Sequence, residues 1–315
     1  MKVVALAGGV GAGKFLRGLV RAVPPTDVTA VVNTADDMTL HGLRICPDLD
    51  SVTYWLAGLA DRDRGWGRAG ESFRALEEVR GLGGPAWFGL GDLDLGAHLV
   101  RTGWLGEGAS LSEVTARLTA ALGVGVQILP MSDEPVATVI DSMDDDGSGR
   151  TDPFQVYWVK RGARDEVKGV RFEGIARARP APGVLEAIEA ADAIVVCPSN
   201  PVVSVAPILA VSGVRDAVAA RRDRAAGVSP IVGGAPVAGM ADRLMPAVGL
   251  EVSALGAASA YRGLLNGWVV DERDADLAPR IENVLGMRVA VTDTIMTDDA
   301  VAERVAATAL ELATG

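Results

Sequence analysis

The stretch VVALAGGVGAGKFLRGLV, residues 3–20, predicts the fold class of this chain. It begins with an apolar run typical of a buried strand, and the glycines from Gly8 to Gly13 predict a loop. The apolar residues between 15 and 20 recur at helical spacing, and a second apolar run extends from Val28 to Val32. A strand, a loop, a helix and a second strand form a βαβ unit, so we expect a parallel sheet.

Strand and helix patterns alternate again in the last third of the chain. Apolar runs predict strands at about 193–197, 228–232, 268–270 and 289–291, with helices between them and a closing helix at about 298–312. The middle differs, because an irregular helical insertion at about 55–125, with helices at about 50–60, 71–80 and 111–122, precedes a β-rich excursion at about 130–180. In the excursion we expect strands at 136–140, 155–159 and 169–172 and a hairpin turn at 144–149. The sequence predicts one α/β domain, 1–315, with a Rossmann-like, doubly wound and mostly parallel sheet.

The composition narrows the possible partners. The 315 residues include 30 Lys plus Arg against 41 Asp plus Glu, and a net charge of -11 argues against binding to nucleic acid or to an anionic membrane. The two cysteines are too few for a disulfide framework and suit a reducing compartment. The apolar run at the N-terminus lacks the basic flank and length of a signal peptide. We therefore expect a cytoplasmic protein that binds small molecules.

The glycine stretch predicts an anion site but fits no standard nucleotide motif. Phe15 stands where a Walker A loop needs a Ser or Thr for magnesium, and Lys14 occupies the third glycine position of the dinucleotide fingerprint. Glycines before a helix nevertheless expose backbone N–H groups to an anion, and Lys14 adds positive charge. The candidate phosphate-binding residues are Gly8, Gly9, Gly11, Gly13 and Lys14. The alternative is that the glycines only form a tight turn.

Four aspartates follow the second predicted strand in two groups. Asp36 and Asp37 come directly after it, and Asp48 and Asp50 lie in the segment that follows. Open α/β sheets bind ligands where their strands end, and carboxylates are suitable ligands for Mg²⁺. The alternative for Asp48 or Asp50 is helix capping. We expect Asp50 to face solvent, so that Asp50→Asn would remove activity and leave the fold intact.

Further polar residues occur in three other segments. Asp94, His98 and Arg101 would share one helical face near Asp92, either to hold a phosphate or hydroxyl or to form an exposed ion pair. Ser199 and Asn200 follow another strand, and the segment from Ser229 to Gly234 repeats this pattern. These residues could contact a phosphate or a base, or form an Asn-Pro turn with a helix cap. His41 is either a site residue or part of a turn.

In this order the motifs resemble those of the 2-phospho-L-lactate transferase family of coenzyme F420 biosynthesis, known as CofD or, in actinobacteria, FbiA. The resemblance extends over nearly the full length. It is carried by Gly8-Gly-Val-Gly11, Asn33 to Asp37, His41-Gly-Leu-Arg-Ile-Cys-Pro-Asp-Leu-Asp50, Leu90-Gly-Asp-Leu-Asp94 with His98, Leu129-Pro-Met-Ser-Asp133, Pro198-Ser-Asn-Pro201, Ser229 to Gly234 and Ala241-Asp-Arg-Leu-Met245. The stretch Gly-Ala-Gly-Lys14 departs from the family pattern, and so does Leu93, which stands where arginine is frequent.

The resemblance implies a phosphotransferase with two small-molecule substrates. It would move a phosphoenolpyruvyl or 2-phospholactyl group from a guanosine diphosphate conjugate to the ribityl hydroxyl of the deazaflavin Fo, giving (dehydro) coenzyme F420-0 and GMP. Mg²⁺ is the implied cofactor and a homodimer the implied assembly. The lactyl, enolpyruvyl and glyceryl donors stay open. The alternatives are a nucleotide-sugar-binding regulator, disfavoured by the segment from His41 to Asp50, and a P-loop-like kinase, disfavoured by Phe15.

Combined with the residue patterns, the resemblance yields a set of site residues. Asp37 and Asp50 are the candidate catalytic residues, and Asp36, Asp37 and Asp48 the candidate metal ligands. The candidate Fo-binding residues are His41, Asp48, Asp50, Asp92, Asp94 and His98. The candidate donor-binding residues are Gly8, Gly9, Gly11, Gly13, Lys14, Ser199, Asn200, Gly233 and Gly234.

Overall fold

The computed structural model describes all 315 residues. In chain order the strands are β1 (Val3–Ala7), β2 (Val28–Val32), β3 (Met38–Leu40), β4 (Leu43–Ile45), β5 (Gln127–Pro130), β6 (Ala137–Met143), β7 (Gly149–Pro153), β8 (Glu166–Glu173), β9 (Ala193–Val196), β10 (Ala225–Val228), β11 (Ile231–Val232), β12 (Ala235–Pro236), β13 (Gly267–Val270) and β14 (Arg288–Val291). The α-helices are α1 (Gly9–Ala22), α2 (Pro47–Leu56), α3 (Arg74–Gly81), α4 (Asp92–Gly106), α5 (Leu111–Ala121), α6 (Val184–Ala190), α7 (Ala206–Ala210), α8 (Val214–Ala220), α9 (Ala241–Leu244), α10 (Ala254–Ser259), α11 (Ala278–Leu285) and α12 (Asp299–Thr314).

Seven parallel strands form the central sheet, in the order β14-β13-β10-β9-β1-β2-β5. β1 pairs with β2 on one side and with β9 on the other, so the strand order reverses beside β1. At such a switch point the loops that follow neighbouring strands diverge and leave a crevice, which is where open α/β sheets bind ligands. The predicted Rossmann-like, doubly wound α/β class is confirmed.

Side chains that alternate along each strand point to opposite faces of this sheet. Both faces are apolar, and helices cover both of them. Val4 and Leu6 of β1 belong to the cluster that packs against α6, α7, α8, α10 and α11. Val3 and Ala5 belong to the opposite cluster, with α1, α2, α5 and α12. On that face α1 and α12 touch closely at Gly18, where an added Cβ would lie 2.2 Å from the Ala302 carbonyl oxygen.

The middle of the chain forms the two expected additions. The helical insertion contains α3, α4 and α5, and the β-rich excursion is a three-stranded antiparallel sheet in the order β7-β6-β8. The turn at 144–149 connects β6 to β7, as predicted. The strand predicted at 155–159 is wrong, because Val156–Lys160 is a helical turn that buries Tyr157 in the core. The missing third strand is supplied instead by polar residues of β7, which no apolar pattern reveals.

Two further expectations about elements need correction. The glycines predicted to form a loop from Gly8 to Gly13 lie mostly inside α1, which begins at Gly9. The strand predicted at 228–232 ends earlier, since β10 stops at Val228. Pro230, which has no N–H to donate to a ladder, separates it from β11, and β11 forms a small antiparallel hairpin with β12.

No single helix is long and apolar enough to cross a membrane. One bent pair, Pro201–Ala210 with Val214–Ala220, meets the length and composition criteria together, with an angle of 92° between its halves.

Candidate active site

Three loops meet at the switch point beyond the carboxyl ends of β1, β2 and β9. The Ser199 hydroxyl donates to the Gly8 carbonyl oxygen at 2.9 Å and accepts from the Gly8 N–H at 3.3 Å. The Asn33 N–H donates to the Ala7 carbonyl oxygen at 3.0 Å, which ties the β2 loop to the end of β1. Asn200 caps the next helical turn by accepting from the Val202 N–H at 2.9 Å. The expected convergence of these loops is present, although Ser199 and Asn200 use these polar atoms to join protein segments.

The glycines at the start of α1 allow close packing around the helix. A Cβ at Gly11 would lie 2.4 Å from the Pro198 carbonyl oxygen, and one at Gly13 would lie 2.5 Å from the Trp55 ring. A Cβ at Gly8 would lie 2.8 Å from Asp48 Oδ2. The Asp48 carboxylate therefore occupies the positive end of the α1 dipole, where the sequence predicted a phosphate. Close contacts with neighbouring protein atoms are therefore enough to explain the glycines at positions 11 and 13.

Lys14 lies on a different side of α1 from these loops. Its Nζ is 5.7 Å from the centroid of the Trp55 ring. It lines a small cavity together with Trp55, Arg62, Met296, Thr297, Asp298, Asp299 and Ala302. The structure thus places the Lys14 charge beside the start of α12.

The four aspartates lie close together, as the sequence predicted. The Asn33 side-chain amide donates to Asp48 Oδ2 at 2.9 Å and to the Val203 carbonyl oxygen at 3.2 Å. Burial raises the pKa of Asp48 to about 7, although the Asn33 amide opposes the rise. Burial, together with the negative charge of Asp48, also raises the pKa of Asp36 well above its usual value. Burial raises the pKa of Asp37 to about 6 against the opposing charge of Arg44. A protein stabilises such a cluster only weakly in its charged form, which favours a cation or proton there.

The donor atoms fit a metal ion that is shared with a ligand. Asp36 Oδ1 and Asp37 Oδ1 are buried and have no hydrogen-bond partner. No three His, Cys, Asp or Glu side chains surround one point as a complete metal site would require. Mg²⁺ is commonly held by one or two carboxylates plus phosphate oxygens and water, so Asp36 and Asp48 form a suitable pair. Asp37 is instead engaged by Arg44, whose Nη2 donates to Asp37 Oδ2 at 2.9 Å.

Asp50 faces α4, where it meets the predicted face of Asp94, His98 and Arg101. Arg101 Nη1 donates to Asp50 Oδ2 at 3.1 Å, and Nη2 donates to Asp50 Oδ1. His98 Nδ1 lies 3.1 Å from Arg101 Nη1. Burial lowers the pKa of His98 and raises that of Asp94 to about 6. All four side chains are buried, so the alternative of an exposed ion pair is wrong.

Three other candidate segments are used structurally. Asp92 accepts from the Ala75 N–H at 3.1 Å and from the Ser72 hydroxyl, which fixes the start of α3. His41 is exposed at the tip of the β3–β4 hairpin with φ of 54°. Gly233 and Gly234 form the turn between β11 and β12. The Gly233 N–H donates to Asp274 Oδ2 at 2.9 Å, so this donor is already used.

Sequence reasoning missed two residues that support the acidic cluster. Arg44 lies in the segment between His41 and Asp50, where its charge among acids was an available signal. Thr138 gave no signal, because it comes from β6 in the excursion and reaches the cluster only through tertiary packing. Its N–H donates to the Ala35 carbonyl oxygen at 2.7 Å. Its buried hydroxyl lies beside Asp36, where it opposes the rise of that pKa.

The chain matches a family model and several known proteins over almost its whole length. The model described as 2-phospho-L-lactate transferase CofD matches residues 3–307. A phosphoenolpyruvate transferase from Streptomyces griseus subsp. griseus is 49% identical over 99% of this chain and 98% of its own. A 2-phospho-L-lactate transferase from Methanosarcina barkeri is 39% identical over 94% of this chain and 93% of its own.

The fold is also found in a solved structure of low sequence identity. A member of the UPF0052 family from Bacillus halodurans superposes with a TM-score of 0.66 at 20% identity, with 98% of each chain covered. The acidic cluster at the switch point, the motif segments around it and the match over residues 3–307 agree with one another. The chain therefore belongs to the CofD family of 2-phospho-L-lactate transferases and is a transferase enzyme of coenzyme F420 biosynthesis.

Proposed function

We propose that the enzyme transfers a phosphoenolpyruvyl or 2-phospholactyl group from a guanosine diphosphate conjugate to the ribityl hydroxyl of Fo. The products would be (dehydro) coenzyme F420-0 and GMP. The observation that carries this proposal is the cluster of buried carboxylates of Asp36, Asp37, Asp48 and Asp50 at the switch point, because such a cluster can hold the cation that neutralises the donor diphosphate during transfer. To test this, the purified enzyme is incubated with Fo and each conjugate in turn, and the products are identified by mass spectrometry.

Among the possible donors we favour the enolpyruvyl conjugate. Relatives named phosphoenolpyruvate transferase are 40% to 49% identical to this chain, and the relative named 2-phospho-L-lactate transferase is 39% identical. The two donors differ by few atoms, so both belong in the assay. A preference for the enolpyruvyl conjugate would appear as a higher kcat/KM.

In the proposed reaction the ribityl oxygen attacks the phosphorus remote from guanosine. The bond from that phosphorus to the bridging oxygen breaks, and GMP leaves with the electron pair. We assign the hydroxyl proton to Asp50, whose side chain is 12% exposed and so nearer to solvent than that of Asp37 at 1%. Asp37 is the second candidate catalytic residue, with one carboxylate oxygen free of partners. Mg²⁺, held by Asp36 and Asp48, would supply neutralisation of the diphosphate charge when bound.

We propose that the donor diphosphate lies beside Gly8 and Gly9, where α1 begins and where Ser199 and Asn200 approach from the β9 loop. The support is that Asp48, a proposed Mg²⁺ ligand, lies beside Gly8, where a bound Mg²⁺ would be shared with the diphosphate. The expected result is that GDP competes with the donor and not with Fo. Gly11→Val is unsuitable as a test of this site, since its side chain would strike the Pro198 carbonyl whether or not a donor binds.

A nucleotide-sugar-binding regulator of similar fold is the second candidate, and the UPF0052 structure supports only the shared fold. Binding of Fo, followed by its absorbance or fluorescence, separates the two, because a regulator of that kind has no reason to bind a deazaflavin. The kinase alternative is disfavoured further, since Phe15 is completely buried and offers no oxygen to a metal. We place the enzyme in the cytoplasm on the basis of its acidic composition and its two buried thiols.

We propose that the enzyme is a homodimer that associates through the outer face of α4. This face consists of Leu93, Gly96, Leu99, Val100 and Gly103, which are exposed and uncharged. Exposed apolar surface of this kind is typical of an interaction site. A two-fold interface joins a surface to itself, which an uncharged face permits without repulsion.

A further inference from the structure

Arg101 is the only arginine or lysine among the buried residues of the chain. A guanidinium removed from water is costly unless its charge and its N–H groups are matched by partners. Its partner is Asp50 on α2, and the helical insertion supplies Arg101 through α4. The helical insertion therefore contributes a buried positive charge that pairs with Asp50 at the edge of the central sheet.

The guanidinium contacts both oxygens of Asp50. Nη1 donates to Oδ2 at 3.1 Å and Nη2 donates to Oδ1. A two-pronged contact fixes the plane of the carboxylate as well as its place, which the single point charge of a lysine cannot do. His98 Nδ1 lies 3.1 Å from Nη1 and 3.7 Å from Asp50 Oδ2, so the imidazole packs against the pair.

The same helix also supports the second arginine of the site. Arg101 Nη1 donates to the Arg44 carbonyl oxygen at 3.4 Å, and the Arg44 N–H donates to the Thr102 hydroxyl at 2.8 Å. The Thr102 hydroxyl donates in turn to the His98 carbonyl oxygen at 2.7 Å. Since the Arg44 side chain binds Asp37, α4 orients both candidate catalytic carboxylates, one directly and one through the β3–β4 hairpin.

We propose that Arg101 is a positioning residue for the transfer reaction, which aligns the Asp50 carboxylate with the accepting hydroxyl of Fo. This inference rests on the proposed function. Arg101 leaves part of the accepting capacity of Asp50 free, because a carboxylate has about four lone-pair sites and the guanidinium occupies two. Those remaining sites have a fixed direction, so the substrate hydroxyl meets a preorganised acceptor.

The expected effect of misalignment is large on turnover and small on donor binding. Arg101→Lys keeps the positive charge but loses the fork, and a misplacement of about 1 Å can reduce turnover about 100-fold. We expect kcat to fall about 30-fold to 100-fold, while the KM for the donor stays within about twofold. Arg117→Gln is the matched control, because Arg117 is exposed on α5 over the Trp104 ring and should retain wild-type kinetics.

The experiment compares Arg101→Lys, Arg101→Gln, Asp50→Asn and the double variant Asp50→Asn with Arg101→Gln. For each protein, steady-state kinetics are measured with Fo and the donor, and stability is measured by thermal melting. If Arg101 acts through Asp50, Arg101→Gln causes no further loss of kcat in the Asp50→Asn background. A further variant, Arg101→Gly, is assayed at a temperature where melting shows it to be folded, and added guanidinium at millimolar concentration should restore part of its activity there, which a role in folding alone would not explain.

A folded Arg101→Lys protein with wild-type kcat would overturn the inference, and so would losses that multiply in the double variant. If Arg101→Gln or Arg101→Gly does not fold, the decision falls to Arg101→Lys. A wild-type enzyme that is inactive with every conjugate overturns the proposed function and the positioning role together. An active wild type with an unaffected lysine variant overturns the positioning role alone.

Discussion

At the scale of single residues, the pairing of Asp50 with Arg101 changes what an isosteric substitution does. The sequence suggested that Asp50→Asn would leave the fold intact because Asp50 would face solvent, but the residue is only 8% exposed and binds a buried arginine. Removing one partner of such a pair leaves an uncompensated charge, at a cost of about 3–5 kcal/mol.

We therefore expect Asp50→Asn to lose transfer activity and to melt several degrees below the wild type. The double variant with Arg101→Gln should melt above Asp50→Asn, because it buries no unpaired charge. Thermal melting followed by circular dichroism measures both. An Asp50→Asn protein as stable as the wild type would show that Arg101 is not held by this carboxylate in solution.

The raised pKa of Asp48 links stability to pH. Its pKa is about 7 in the folded protein, against a usual value near 4. Between about pH 4 and pH 7 the folded chain therefore holds a proton that the unfolded chain has released. Stability should fall as the pH rises from about 4 to 7. Above that range the carboxylates are charged and a divalent cation should offset their repulsion.

We expect Mg²⁺ to raise the melting temperature by a few degrees at pH 8 and by much less at pH 5. Each kcal/mol corresponds to roughly 2–4 °C in proteins of about 150–250 residues, and to somewhat less in this longer chain. Asp48→Asn should weaken both the pH dependence and the response to Mg²⁺, and Asp145→Asn, in the exposed β6–β7 turn, should alter neither. An equal response to Mg²⁺ at both pH values would contradict the assignment of Asp36 and Asp48 as ligands.

At the scale of secondary-structure elements, α4 has a buried polar face and an exposed apolar face. Its inner face carries Asp94, His98 and Arg101, and its outer face carries Leu99, which is 59% exposed. We expect Leu99→Glu to convert a dimer to a monomer, since burying an unpaired charge at an interface costs several kcal/mol. Light scattering after size-exclusion chromatography gives the mass.

Val284→Glu is the control for that measurement, because Val284 is 48% exposed on α11 and lies far from α4 in the chain. This variant should leave the mass of the assembly unchanged. A wild-type monomer, or a Leu99→Glu protein that stays dimeric, would refute the proposed interface. A fall in the activity of a monomeric but folded variant would further indicate that α4 requires the partner to hold Arg101 in place.

How far the sequence predicts each element depends on whether its signal is local. The β1 and β2 runs are local patterns, and both strands are present. The loop predicted for the glycines of α1 is wrong because the reason for these glycines is distant in sequence: Gly11 faces the Pro198 carbonyl and Gly13 faces the Trp55 ring. A short apolar run such as 155–159 is equally ambiguous between strand and buried helical turn.

At the scale of the whole molecule, parallel topology places the end of β2 at the switch point, and the β3–β4 hairpin returns the chain to it. Asp36 and Asp37 come after β2, and Asp48 and Asp50 begin the helix beyond it, so one edge of the sheet collects them. The contributions of Arg44 and Thr138 could not be predicted in this way. Arg44 depends on the register of the β3–β4 hairpin, and Thr138 depends on how the excursion packs against the β2 loop.

The most direct test of the account is an assay in which purified enzyme is incubated with Mg²⁺, Fo and one guanosine diphosphate conjugate at a time. Mass spectrometry should detect Fo carrying a phosphoenolpyruvyl group, with release of an equal amount of GMP, when the enolpyruvyl conjugate is supplied. Removal of the metal with a chelator should abolish the product. No product with any conjugate, or release of GDP in place of GMP, would contradict the assignment of this acidic cluster to phosphoryl transfer.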